Sequence, residues 1–419
     1  MGKHTKAMIS LFTFSLFFNI LMGQNGTANN ELIVEINNIL QDKVNKSEIP
    51  GAVILIKKGN EELVKKAYGY ASLMDYNQQM LDSPEQTTVD HLYDIASLTK
   101  VIGTTTSIML LVDAGLINVE DPVAKYIKGF DTPEKNRITI RHLLSHTSGL
   151  YEWFPLYYYC ENKQEVYRLI EKLPLKYSVG SSRHYSDLGF ILLGEIVEIV
   201  SELSLEEFMD QNIFKPLHME HTMYNPQKNR SELKIAATSY GNPYEKRMVS
   251  DPVLGFTIDS ISPTQWNGWR DYPLKGEVND GNTWYASNGV SGHAGLFSTV
   301  TDLQKLINVL KQNGKAENFQ FISEKTINLF LTQDKFKNGL GWVMDASNSF
   351  MKNAPKGSFG HTGFTGTSIV VIPQCDISIV ILINRQNLGM LPNQTYFNVN
   401  AIREQIFGAV MSHCSQKAD

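Results

Sequence analysis

The stretch TSIVVIPQCDISIVILINR, residues 367–385, holds two β-branched apolar runs, TSIVVIP (367–373) and ISIVILINR (377–385), on either side of a QCD turn. Runs this short, bounded by turn residues, read as an antiparallel hairpin. Near the other end of the chain, GAVILIKKG (51–59) and ELVKKAYGYAS (62–72) read as a second pair of adjacent antiparallel strands. An amphipathic helix is expected at 30–46 before them, and a last helix at about 399–411 after the final hairpin. Between the two strand pairs the pattern is helical: TTTSIMLLVDAGL (104–116), IRHLLSHTSGL (140–150), and further segments at 164–171, 188–200 and 205–211. Strands at both ends with helices between predict an α+β fold. One antiparallel sheet, flanked by the terminal helices, forms a lobe from about 30–95 and 290–415. An all-helical lobe and an irregular excursion take up about 96–289, and the cleft between lobes is the expected place for chemistry. The excursion, 239–290, is rich in Gly, Pro and Asn, but Trp266, Trp269, Tyr272, Trp284 and Tyr285 make it a packed segment rather than a linker.

The formal net charge of -5 and the lack of any basic stripe exclude a nucleic-acid footprint. Lys3 and Lys6 precede an apolar run from Met8 to Met22, followed by GQNG (23–26). The run is short for a membrane span and reads as a signal peptide over about residues 1–23. The expectation is an exported protein, periplasmic or extracellular, with no membrane span after cleavage and one catalytic unit over 24–419. Cys160, Cys375 and Cys414 make neither a disulfide framework nor a zinc motif, and are expected to be packing or incidental surface residues.

Three motifs carry chemistry. In LYDIASLTKV (92–101), Ser97 enters a helical run and Lys100 follows three positions later, on the same helix face. A serine needs a base within hydrogen-bond reach to act as a nucleophile, and Lys100 is placed to supply one. Ser97 also lies near a helix N-terminus, where backbone N–H groups favour developing negative charge. Taken alone, a Ser-x-x-Lys tetrapeptide is an ordinary helix cap with an exposed lysine. Tyr185-Ser186-Asp187 precedes another helical pattern, and His361-Thr362-Gly363 enters the penultimate strand. His361 offers a donor and a positive charge beside the cleft, and Gly363 permits close backbone approach.

Ser-x-x-Lys, Tyr-x-Asp and His-Thr-Gly occur in the order of the motif set of penicillin-binding proteins and β-lactamases. The chain resembles the serine β-lactamase and DD-peptidase superfamily, and most of all its branch with tyrosine in the second motif: class C β-lactamases, DD-carboxypeptidases and related esterases. IRHLLSHTSGL, YSDLGFILLGEIVE (185–198), SGHAGLFSTVTDL (291–303) and the last hairpin extend the resemblance over nearly the whole mature chain. It implies an acyl-enzyme on Ser97, with Lys100 and Tyr185 sharing its proton and an oxyanion hole from the backbone N–H groups of Ser97 and Phe364. It further implies substrate contacts from Asp187, His361, Thr362 and Gly363, no metal or other cofactor, and a small-molecule or peptidoglycan-like peptide substrate. The alternative is a catalytically silent penicillin-recognising or ligand-binding domain, in which Ser97, Lys100 and Tyr185 together would have no purpose.

Two positions depart from the commonest family pattern. His361 stands where lysine is usual, and Asp187 where asparagine is usual. An ionised aspartate accepts hydrogen bonds but cannot donate to a substrate carbonyl as an amide does. Beside Lys100 it would hold the lysine protonated, leaving Tyr185 as the base with its pKa lowered by Lys100, and would disfavour β-lactam hydrolysis relative to peptidase or esterase activity. His142 and His146, spaced i and i+4, suggest a metal pair, but no glutamate follows His142 as in HExxH, and core or supporting roles fit better. His293 reads as lining the cleft or capping a helix, with a structural role favoured; His184 reads as a surface loop residue; and the 277–282 run (EVNDGN) reads as a polar loop that could contribute to substrate recognition.

Overall fold

The computed structural model describes residues 30–77, 79–229 and 232–415. The expected signal peptide lies outside them. No helix among the described residues is long and apolar enough to cross a membrane.

A six-stranded sheet, antiparallel between all neighbours, runs in the order Met80–Gln86, Glu61–Met74, Gly51–Lys58, Ile377–Ile383, Ser368–Ile372, Phe359–Thr362. The two hairpins from opposite ends of the chain therefore meet at its centre, with Ala52 opposite Ile383 and Ile54 opposite Ile381. Both central strands are buried on both faces, which is why they read as unbroken apolar runs. Ala52, Ile54, Ile379 and Ile381 pack under the terminal helices at 30–45 and Asn400–Ser415, through Leu32, Ile36, Ile402 and Ile406. Val53, Leu55, Val380 and Leu382 face the other way, into the core shared with the helical lobe. Side-chain alternation puts His361, opposite Ile369, on this second face.

The middle of the chain holds helices such as Thr106–Asp113 and Asp187–Ser201, plus a three-stranded and a two-stranded sheet that the helical pattern did not anticipate. The excursion is packed. Trp266 contacts Tyr157, Trp269 and Tyr285 at ring-centroid distances of 4.8, 4.7 and 4.7 Å. One expectation is corrected: Cys375 and Cys414 form a disulfide, because the turn of the last hairpin lies under the final helix. Cys160 is the buried free thiol.

Candidate active site

Ser97 sits in the turn that joins the short strand Tyr93–Asp94 to the helical segment beginning at Leu98. Four hydrogen bonds fix this turn. Asp94, buried, accepts from the backbone N–H of Ala96 (2.8 Å) and of Asn279 (2.6 Å). Ala96 adopts a positive φ of 46°, an uncommon conformation for a residue with a Cβ and one concentrated at functional sites. Lys100 opens a π-helical turn, Lys100–Thr105, before the α-helix Thr106–Asp113. Thr99 and Thr104 tie the turn to the 292–296 segment, through Leu296 N–H (3.2 Å) and the Gly292 carbonyl (2.6 Å).

Lys100 is fully buried; its ammonium donates to Ser97 Oγ (3.0 Å) and the His293 carbonyl (2.9 Å) and forms an ion pair with Asp187 Oδ1 (2.7 Å). Burial alone would lower the lysine pKa, but the charges and hydrogen bonds of Asp187 and Tyr185 outweigh it and hold it above its usual value.

Tyr185 and Asp187 are placed by the start of the helix Asp187–Ser201. Ser186 caps that helix through Gly189 N–H (3.2 Å) and is held by His146 Nδ1 and the Tyr151 carbonyl (3.0 and 2.6 Å). Tyr185 lies over Lys100, whose Nζ is 5.1 Å from the ring centroid, between the rings of His146 (4.4 Å) and His361 (5.9 Å). Burial raises its pKa. The Lys100 charge acts the other way, as the sequence reading expected, yet with Asp187 nearby the net direction is upward. Tyr185 is therefore a phenol at rest.

His361 enters the site from the edge strand. Its Nδ1 bonds the Thr362 carbonyl (2.9 Å), which fixes the proton on Nδ1 and leaves a lone pair on Nε2. Burial, and then the Lys100 charge, push the imidazole down to about 3. The positive charge expected of it is absent at neutral pH. Gly363 follows, with Thr362 half-buried behind it. A Cβ at Gly363 would meet Thr367 Oγ1 at 2.1 Å and the Ile95 carbonyl at 2.5 Å, so only glycine fits against the serine turn. Thr365 and Thr367 bond the carbonyls of Asp94 and Ile95 (2.7 and 3.1 Å), clamping the 363–367 turn to the turn that carries Ser97. Phe364 keeps its ring exposed, while Arg385 holds its carbonyl at 3.0 and 2.7 Å. Arg403 behind it donates to the Gly363 and Thr367 carbonyls (3.4 and 2.8 Å).

A cavity of about 300 Å³ opens between the lobes. Ser97, Tyr185, Asp187 and Phe364 line it, together with Trp153, Glu245, Asp280, His293 and Gln386. Thr362, Gly363 and His361 stand behind this lining. Two segments for which a plain structural role was favoured belong to the wall. Asp280, from the 277–282 run, caps the helix Gly281–Ser287 and pairs with His293 Nε2 at 3.0 Å. Burial would raise the Asp280 pKa, but His293 and Thr283 overcome it and keep the carboxyl well below the usual range. Asp187, Asp280 and His293 offer ligand atoms within 4.8 Å of one another. Lys100 engages that set through Asp187, and Asp280 engages His293, so these residues complete each other's bonding. His142 and His146 do not converge: His142 Nδ1 caps its own helix at Thr139 N–H (3.1 Å), and His146 serves Ser186. His184 stacks on Tyr177 (3.4 Å) away from this cluster.

The sequence profile described as Beta-lactamase matches residues 36–401. The chain belongs to the β-lactamase family. Two curated relatives are each 33% identical. One, a Bacillus subtilis (strain 168) protein named "N-acetylmuramyl-L-alanine amidase", aligns over 84% of this chain and 80% of its own. The other, a Salmonella heidelberg protein named "Putative D-alanyl-D-alanine carboxypeptidase", aligns over 86% and 87%. Among solved structures, "EstCE1, a hydrolase with promiscuous acyltransferase activity" matches with a TM-score of 0.67 at 19% identity, over 92% of this chain and 99% of that one. A class C β-lactamase matches with a TM-score of 0.66 at 16% identity, over 92% and 98%. The octameric penicillin-binding protein homologue from Pyrococcus abyssi matches at 0.63 and 21% identity, over 85% and 74%. Members of the β-lactamase family are serine hydrolases that work through an acyl-enzyme, and this chain is one of them.

Proposed function

We propose that this β-lactamase-family chain is an exported hydrolase that cleaves an amide bond in peptidoglycan-type peptides, with Ser97 as nucleophile. The observation that carries the reading is the Ser97–Lys100–Asp187 chain of contacts, at 3.0 and 2.7 Å, opening onto the inter-lobe cavity. The names of the two curated relatives, both for hydrolysis at alanyl amides, support the substrate class. Lys3, Lys6 and the apolar run Met8–Met22 support export.

In this scheme Ser97 Oγ bonds to the substrate carbonyl carbon and its proton passes to the Lys100–Tyr185 pair, from which one proton has first been lost. The carbonyl oxygen, now negative, sits between the backbone N–H groups of Ser97 and Phe364. Arg403, donating to the Gly363 carbonyl, polarises the peptide group whose N–H belongs to Phe364. The pair then returns the proton to the leaving nitrogen as the C–N bond breaks. Water repeats the sequence on the acyl-enzyme, with the same pair as base. Asp187 borders the bound peptide, with His361, Thr362 and Gly363 supporting the wall behind it. No metal or other cofactor enters the scheme.

Release of free D-alanine or L-alanyl peptide from purified muropeptides, followed by chromatography, tests the reading. Wild-type protein should release one of them, and Ser97→Ala should lower kcat/KM by roughly 10⁴-fold or more. Hydrolysis that survives Ser97→Ala and Lys100→Ala and is abolished by EDTA would refute it.

A further inference from the structure

Gln386 lies in the short 3-10 turn Arg385–Leu388 that follows the central strand Ile377–Ile383. Its side chain lines the Ser97 cavity and is 1% exposed, and neither Oε1 nor Nε2 has a hydrogen-bond partner. On the same cavity Glu245, 9% exposed, gives Oε2 to the Gly281 N–H (2.9 Å) and Asn242 Nδ2 (3.1 Å) and leaves Oε1 unpartnered. Burying a primary amide with both halves unpaired is unfavourable, and an apolar side chain of similar size would stabilise the fold. Residues of this kind persist where a ligand supplies the missing partners. A single side-chain amide presents one acceptor and one donor side by side, which matches the N–H and C=O of a peptide group and not an ester, which lacks the N–H.

We propose that Gln386 and Glu245 form a peptide-reading subsite: the Gln386 amide pairs with the N–H and C=O of a non-scissile peptide group, and Glu245 Oε1, whose companion oxygen already accepts two N–H bonds, donates as a hydroxyl to a further C=O of the same substrate. This rests on the reading that a peptide occupies the Ser97 cavity. It makes the enzyme selective for an extended peptide over a short ester.

The test is binding without turnover. In Ser97→Ala protein, calorimetry compares acetyl-L-alanyl-D-alanyl-D-alanine with its depsipeptide, in which D-lactate replaces the middle residue and removes one N–H. The peptide should bind about tenfold tighter, one well-made hydrogen bond being worth roughly that factor. Adding Gln386→Leu should bring the two ligands within about twofold by weakening the peptide, and Glu245→Leu should weaken both. Gln386→Glu, which keeps the acceptor, should keep most of the preference. Gln386→Leu should melt at or above the temperature of its parent. No saturable binding, a preference unchanged in Gln386→Leu, or a lower melting temperature for that variant each overturns the proposal. A protein that shows the predicted binding, but whose wild type hydrolyses neither muropeptide nor ester, defeats the functional reading and leaves the subsite standing.

Discussion

At Lys100 one carboxylate sets the protonation of the whole site. Asp187 raises the pKa of both Lys100 and Tyr185, so the basic form needed for attack on substrate is reached only at higher pH. The kcat/KM of the wild type should therefore keep rising above neutrality. In Asp187→Asn both pKa values fall, and the acid limb of the pH profile should move down by about 1–2 pH units, read with p-nitrophenyl acetate. His361 carries a different pH dependence. Its folded pKa of about 3 lies below the ordinary histidine value, so the unfolded chain binds the extra proton first. The stability owed to neutral His361 is complete above about pH 6.5 and is lost as pH falls towards 3. Between pH 7 and 5 urea unfolding should register a loss of about 2 kcal/mol that His361→Gln abolishes. Ser97, Lys100 and Tyr185 were legible because motif order and helical spacing are properties of sequence. The neutrality of His361 and the unpaired amide of Gln386 were not, because both come from burial by distant segments.

The element that matters most is the 363–367 turn, pressed against the serine turn with no room for a Cβ at Gly363. Gly363→Ala must push the two turns apart, displacing the Phe364 N–H from Ser97. A misplacement of about 1 Å is enough to lower kcat roughly 100-fold, measurable with an ester while circular dichroism stays native. The final hairpin and the first strand pair were readable to within a few residues, since two-sided burial writes itself as apolar runs. The edge strand Met80–Gln86 was not, being mostly exposed and polar, with a proline in it. Nor was the Cys375–Cys414 bridge, whose partners are separated by 39 residues and join a turn to a helix. Cys414→Ser should lower the unfolding free energy in urea by about 2–4 kcal/mol, a difference that reducing agent removes.

At the scale of the molecule the site is assembled from four distant stretches: the serine turn, the start of the helix Asp187–Ser201, the excursion that ends at Asp280 and His293, and the last hairpin. The two-lobed plan was legible from the alternation of strand and helix patterns. That the excursion bears on the site was suggested by its aromatics and the 277–282 run, but which of its residues reach the cavity was not legible, because it lacks periodicity. Trp266 is the hub of that packing, touching Tyr157, Tyr158, Trp269 and Tyr285. Trp266→Ala should expose the 239–290 segment to limited proteolysis before the sheet is cut, with activity lost in step with that cleavage.

The central pair of strands, Gly51–Lys58 and Ile377–Ile383, brings together residues more than three hundred positions apart. Pairing at such separation is slow, because closure of the intervening chain comes before any contact rewards it. The folding chain can shape its helical lobe first, but the wall that holds Phe364 does not exist until Ile377–Ile383 has paired with Gly51–Lys58. Birth of the enzyme is thus a late and single event. Chains cut before Phe359 should be hydrolytically inert, and on refolding from urea activity should appear in a single phase together with the pairing of these strands.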